Sequence, residues 1–220
     1  RVREKMAAME SGSLLITHDS ELLHVPWEWI RHGGNAWCEC LDLGRQVVSE
    51  HVSIRLPERR EKGRKTLLIA LNPTSDLDAA QGECEVLLQH FSRHEDWLDV
   101  VLIAGSRVTV DRMLEEMERA DMVYFLGHGH YDAALPERSG WLLADGPITT
   151  AHLDALRCPP WLIFSNACDT AREAPQDKAS HGYAGNMGMA SRFLFVGVEA
   201  YVGALWPIHV DTGAAFARLF

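Results

Sequence analysis

No apolar run in the sequence approaches the ~20 residues that a membrane-crossing helix needs, so a helical membrane span is not expected. The chain opens Arg1-Val2-Arg3-Glu4-Lys5 with no apolar core behind it, so no secretory leader is expected there. Cysteine is sparse and odd in number: five residues, without the spacing of a disulfide framework. That pattern points to a reduced, cytoplasmic compartment. Basic residues are outnumbered, 21 Lys and Arg against 31 Asp and Glu, and the net charge is -10. Surfaces that grip phosphate need clustered cations. The only dense basic stretch is Arg59, Arg60, Lys62, Arg64 and Lys65. It lies between strand-like runs and reads as a solvated loop, so neither nucleic acid nor a membrane is an expected partner. Internal repeats and low-complexity tracts are missing as well. The Ala104-Gly105-Ser106 turn lacks both the glycine pattern and the following Lys of a phosphate loop.

What the sequence does contain is a core. Hydrophobic residues make up 47% of the 220, enough for one domain of ordinary globular composition. Leu14 to His18 reads as a strand, Asp19-Ser20 as a turn, and Glu21 to Val25 as a returning strand, giving an N-terminal hairpin. Pro26 is placed to start a short helix through Trp27 to Arg31, and Gln46 to Leu56 is a further strand candidate. From residue 66 the rhythm changes. Apolar runs at Thr66–Leu71, Val100–Ala104, Met122–Leu126, Trp161–Phe164 and Tyr201–Leu205 alternate with helical spacing at 83–91, 110–119, 150–156 and 187–196. Continuous apolar runs separated by helices predict buried parallel strands with crossover helices. The expected fold class is α/β: an open, mostly parallel sheet with helices on both faces, preceded by the N-terminal subregion. Residues 1–12 are expected to be the tail of a preceding helix or a linker, and 13–220 one domain. The final segment stops inside a helical pattern, so a fragment of a larger protein is expected.

In such sheets reactive groups collect beyond the carboxyl ends of the strands. Two strand ends stand out. Met122–Leu126 runs into Gly127-His128-Gly129-His130-Tyr131-Asp132, and Trp161–Phe164 runs into Ser165-Asn166-Ala167-Cys168-Asp169-Thr170. If the two strands are neighbours, His128 and Cys168 leave one sheet edge side by side, with a hairpin-like excursion at Trp141 to Asp145 between them. A thiol next to an imidazole is a nucleophile with its proton partner. The backbone N–H groups of Gly129 and Cys168 would then form an oxyanion hole. No cofactor and no metal enter that chemistry.

The strand end Val123-Tyr124-Phe125-Leu126-Gly127-His128-Gly129-His130 resembles the H-G-h element of the CHAT family, a branch of the caspase-like cysteine peptidases of clan CD. Phe164 to Thr170 resembles the family's S-A-C-x-T nucleophile segment. The order continues on either side: Pro26-Trp27-Glu28, then Asn72-Pro73 followed by Ala80 and Glu83, and Gly203 to Ile208 with Asp211-Thr212 at the end. The resemblance implies a caspase-like fold and a cysteine endopeptidase that cleaves a specific protein target. In it Cys168 is the nucleophile and His128 the general acid/base. It further implies a sensor or regulatory domain, or a partner subunit, that switches the activity on, in several relatives within prokaryotic defence. Asn166 departs from the Ser more common at its position.

Four side chains besides Trp206 are substrate-binding candidates by position. Asn166 and Asp169 flank the nucleophile, and His130 and Asp132 follow His128, Asp132 also being a candidate to orient an imidazole. Trp206 follows the last strand. Glu28 reads as a structural pairing residue. The polar loop 171–188 is a candidate gate. Two other classes stay open. One is a zinc hydrolase, because His128, His130 and Asp132 spell H-x-H-x-D, with His152, His181 or His209 to complete a site. The other is a CHAT-like scaffold without catalysis.

Overall fold

The structure, a computed structural model, describes residues 12–32, 34–48, 63–173 and 187–220. Its N-terminal part carries β1 (Ser13–Asp19), the two-residue strands β2 (Arg31–His32) and β3 (Asn35–Ala36), and β4 (Asp42–Val48). The remainder carries β5 (Lys65–Leu71), β6 (Leu98–Ala104), β7 (Met122–Leu126), β8 (Gly129–His130), β9 (Gly140–Leu143), β10 (Gly146–Thr149), β11 (Leu162–Asn166) and β12 (Ala200–Gly203). Five of these form the central sheet, in the order β12-β11-β7-β5-β6. Every neighbouring pair in it is parallel.

The continuous apolar runs follow from burial on both faces. Along β5 and β7, successive side chains enter two different cores. Leu68, Ala70, Val123, Phe125 and Ile163 pack with Met113, Met117 and Phe193 on one face. Leu67, Ile69, Leu71, Tyr124 and Phe164 pack with Ala80, Cys84 and Leu87 on the other. The helices Asp78–Phe91 and Val110–Met117 therefore cover opposite faces. The first carries the chain from β5 out to β6. The second brings it back to β7 on the far side of β5. The sheet thus reverses its strand order between β5 and β7, and at such a switch point the loops beyond the strand ends diverge and leave a crevice.

The expected α/β architecture stands, with corrections at the N-terminal part. Glu21 to Val25 is not a returning strand. Asp19 Oδ1 accepts the Glu21 N–H at 3.0 Å, which starts a turn over Ser20–Leu22. The partner of β1 is β4, and the pair is parallel, from Ser13 opposite Asp42 to Asp19 opposite Val48. Only a single turn, Trp27–Trp29, forms after Pro26. The strand expected over Gln46–Leu56 overlaps β4 at its start, and 49–62 lie outside the described residues. The helix expected at 150–156 closes after one turn, Thr150–Leu153. The anticipated excursion before β11 is an antiparallel sheet in the order β10-β9-β8.

Candidate functional site

Three loops leave the carboxyl ends of β5, β7 and β11 and converge. The first is shaped by Asn72, which takes a positive φ of 42° and spends its side chain on its own loop. Its Oδ1 accepts the N–H groups of Asp76 and Leu77, each at 3.2 Å. Its own N–H reaches the Leu126 carbonyl at 2.7 Å, which ties the loop to the end of β7. The Asp76 carboxylate is thereby held over the neighbouring strand end, where it meets His128. Nε2 of His128 lies 3.0 Å from Oδ1 and 3.1 Å from Oδ2. The Thr74 hydroxyl, and after it the imidazole, hold the Asp76 carboxyl below the usual carboxylate range.

The second loop depends on small residues. A Cβ at Gly127 would lie 2.7 Å from the Phe125 ring and 3.0 Å from Pro73. A Cβ at Gly129 would lie 2.0 Å from the Cys168 carbonyl oxygen and 2.7 Å from Thr170. The main chain beside His128 therefore rests directly on the main chain of Cys168, an approach open to glycine alone. Leu142 N–H donates to the His128 carbonyl at 2.9 Å. That bond makes Gly129 and its partner Trp141 a non-hydrogen-bonded pair of the β8–β9 ladder, so the ladder leaves the Gly129 N–H unused.

The third loop is braced from below. Ser165 Oγ donates to Thr170 Oγ1 at 3.0 Å and accepts from Trp141 Nε1 at 2.9 Å, and Tyr201 donates to the Thr170 carbonyl at 3.2 Å. Asp169 sits at φ 57°, strained for a residue with a side chain. Cys168, half-buried, faces the main chain of Ile208. The Ile208 N–H donates to Sγ at 3.4 Å, and the thiol lies 3.7 Å from the Ile208 carbonyl. No hydrogen bond joins the thiol to the imidazole among the described residues. His128 and Cys168 thus share one sheet edge through their backbones, with the imidazole on Asp76 and the thiol on Ile208.

The other candidates divide. Asn166 turns away from the crevice: its amide donates to Glu83 at 2.8 and 3.1 Å, and Tyr124 OH donates to the same carboxylate. Asp132 does not orient an imidazole. Its carboxylate accepts the N–H groups of Ala134 and Leu135 at 2.9 and 3.0 Å, and those bonds hold its carboxyl below the usual range. His130 is exposed on β8. Asp169 pairs with Arg172 at 3.1 Å, and that guanidinium lies 4.5 Å from the Tyr131 ring centroid. Trp206 is 38% exposed and packs on Trp29 with ring centroids 5.7 Å apart. Glu28 grips Arg45 with both carboxylate oxygens, the pairing role expected of it. Of the loop at 171–188, residues 174–186 lie outside the described ones, as does His181.

The metal spelling does not assemble. Among the described residues no three His, Cys, Asp or Glu side chains are grouped to hold an ion. His152 Nδ1 accepts the Thr149 N–H at 3.1 Å, and His209 caps its own helix. Among the described residues no helix is long and apolar enough to cross a membrane. The residue that sequence reading overlooked is Asp76. Its one available signal was a polar Thr-Ser-Asp turn directly after a buried strand of the same sheet.

The profile of the family described as CHAT domain matches residues 2–220. No curated protein matches the chain.

Proposed function

The chain belongs to the CHAT domain family, which is related to the caspase-like peptidases, and from that membership we propose a cysteine endopeptidase acting on a specific protein target. Cys168 is its nucleophile and His128 its acid/base. The Cys168 sulfur attacks the scissile carbonyl while His128 takes up the thiol proton and later delivers it to the leaving amine. The N–H groups of Gly129 and Cys168 receive the oxyanion. Asp76 acts through His128, as the group that fixes which ring nitrogen faces the thiol. The observation that carries this reading is the seating of Gly129 on the Cys168 carbonyl, where a Cβ would come within 2.0 Å.

The enzyme is held at rest. The thiol engages Ile208 rather than His128, which supports activation by a regulatory domain or partner that shifts the 204–208 segment. A role in prokaryotic defence and a cytoplasmic site of action belong to the same proposal.

The test is labelling with a peptide-based thiol-reactive probe, on the full-length protein with its natural partner present. Wild type is compared with Cys168→Ala and His128→Ala. Labelling is expected at Cys168, lost in the first variant, slowed by roughly 10²-fold or more in the second, and unaffected by a chelator. Equal labelling of wild type and His128→Ala would sink the dyad.

A further inference from the structure

The ladder between β11 and β12 ends at Ser165 opposite Gly203. From there the chain runs as an irregular segment, Ala204 to Ile208, along the nucleophile loop and then enters the helix Val210–Leu219. Three bonds lay the segment on that loop. The Ala204 carbonyl accepts the Ala171 N–H at 2.9 Å, the Trp206 carbonyl accepts the Asp169 N–H at 3.4 Å, and the Ile208 N–H donates to the Cys168 sulfur at 3.4 Å. The last of these seats the thiol on Ile208, away from the imidazole.

The segment is weakly backed. None of its side chains belongs to either core. Ala204, Leu205, Trp206 and Ile208 instead border a cavity of about 910 Å³, which also touches Trp29, Leu43 and Arg45. A shift of the segment therefore breaks no core packing. What does meet it is a ring: Trp206 lies on Trp29, with centroids 5.7 Å apart and planes tilted by 51°. Both rings are exposed.

Trp29 comes from the N-terminal part, whose described elements pack chiefly on one another. Among the described residues, Trp29 on Trp206 is the ring contact that joins that part to the rest. The position of Trp29 is set without help from the segment. The Pro26 and Trp27 carbonyls accept the N–H groups of Trp29 and Ile30 at 3.0 and 3.1 Å, which closes the turn. Glu28 then fastens the turn to β4 by gripping Arg45, which also donates to the Leu23 carbonyl at 3.1 Å.

We propose that the N-terminal part holds the nucleophile at rest through this pair of rings. Trp29 keeps Trp206 in place, Trp206 keeps the segment on the nucleophile loop, and the segment keeps the thiol on Ile208. Displacing the Pro26–Trp29 turn removes the partner of Trp206 and shifts the population toward a state with the thiol free. One aromatic pair biases that equilibrium by roughly two- to tenfold. That the freed thiol then meets His128 rests on the peptidase reading above; the restraint itself does not.

The test is the rate of iodoacetamide alkylation at Cys168 in the full-length protein without its partner, read by peptide mass spectrometry. The half-buried Cys158 of the same molecules is the reference. Trp29→Ala and Trp206→Ala are each expected to speed alkylation of Cys168 by roughly two- to tenfold, with Cys158 unchanged. The double variant should be no faster than the faster single, because both changes remove one contact. Trp29→Phe, which keeps a ring, should stay nearer wild type than Trp29→Ala. The Ile208 amide should exchange with solvent faster in Trp29→Ala by a similar factor. An unchanged Cys168 rate and an unchanged Ile208 amide in Trp29→Ala overturn the restraint. So does equal acceleration at Cys158, which marks general loosening, and so do single effects that multiply in the double variant. His128→Ala placed in the Trp29→Ala protein separates the two readings. A gain that survives there leaves the restraint standing and removes His128 as the proton partner. No gain in Trp29→Ala, with peptide-probe labelling of wild type still dependent on His128, overturns the restraint alone.

Discussion

At the scale of single residues, the informative pair is Asp76 and His128. Both carboxylate oxygens lie within 3.1 Å of one ring nitrogen, which leaves the other nitrogen for the proposed proton transfer. Asp76→Asn keeps the shape but removes the charged partner that fixes this tautomer. We expect probe labelling of Cys168 to slow by roughly 10- to 100-fold, with the thermal midpoint little changed because the carboxylate is exposed. The pH dependence has a definite sign. A carboxyl held below its ordinary value is charged through the neutral range, so the Asp76–His128 interaction persists there. It fades only as pH falls through that lowered value. Wild type should therefore show an acid limb in its labelling rate that the Asn variant lacks. Superimposable profiles would remove Asp76 from the mechanism. The placement of His128 and Cys168 at neighbouring strand ends was legible in the sequence because each follows an apolar run. Asp76 was not, because its partner lies 52 residues away and only the sheet order brings them together.

At the scale of elements, β7 was read to the residue, Met122–Leu126, because a strand buried on both faces leaves an uninterrupted apolar run. The N-terminal hairpin failed for the opposite reason. β1 and β4 alternate exposed and half-buried positions, but neither sequence, SLLITHD or DLGRQVV, says which strand it pairs with. A tight turn and a long parallel crossover look alike until Asp19 is seen capping the turn. Between the core elements sits one polar knot that the sequence offered only as a motif glutamate. Glu83, buried on the helix Asp78–Phe91, accepts from Tyr124 on β7 and Asn166 on β11 and so joins three elements beneath the crevice. Burial, and then Glu83, push the Tyr124 phenol well above its ordinary range, so it stays a donor. Glu83→Ala should strand both donors and cost about 2–4 kcal/mol in urea unfolding. Glu83→Gln, which keeps one acceptor, should cost less. An Ala variant as stable as wild type would mean that the knot contributes nothing to the fold.

At the scale of the whole molecule, stability is unevenly shared. β5 buries five of its seven residues and β7 four of its five, within the two cores. β4 buries none, and β1 only His18. A two-stranded sheet is marginal without a packed face, so β1–β4 rests on β1–β4 pairing, the Glu28–Arg45 ion pair and contacts such as His18 on Trp27. It should open without the central sheet. Native-state hydrogen exchange is expected to give the amides of β1 and β4 opening free energies at least about 2 kcal/mol below those of β5, β7 and β11. Uniform protection would show one cooperative unit and no independent N-terminal wall.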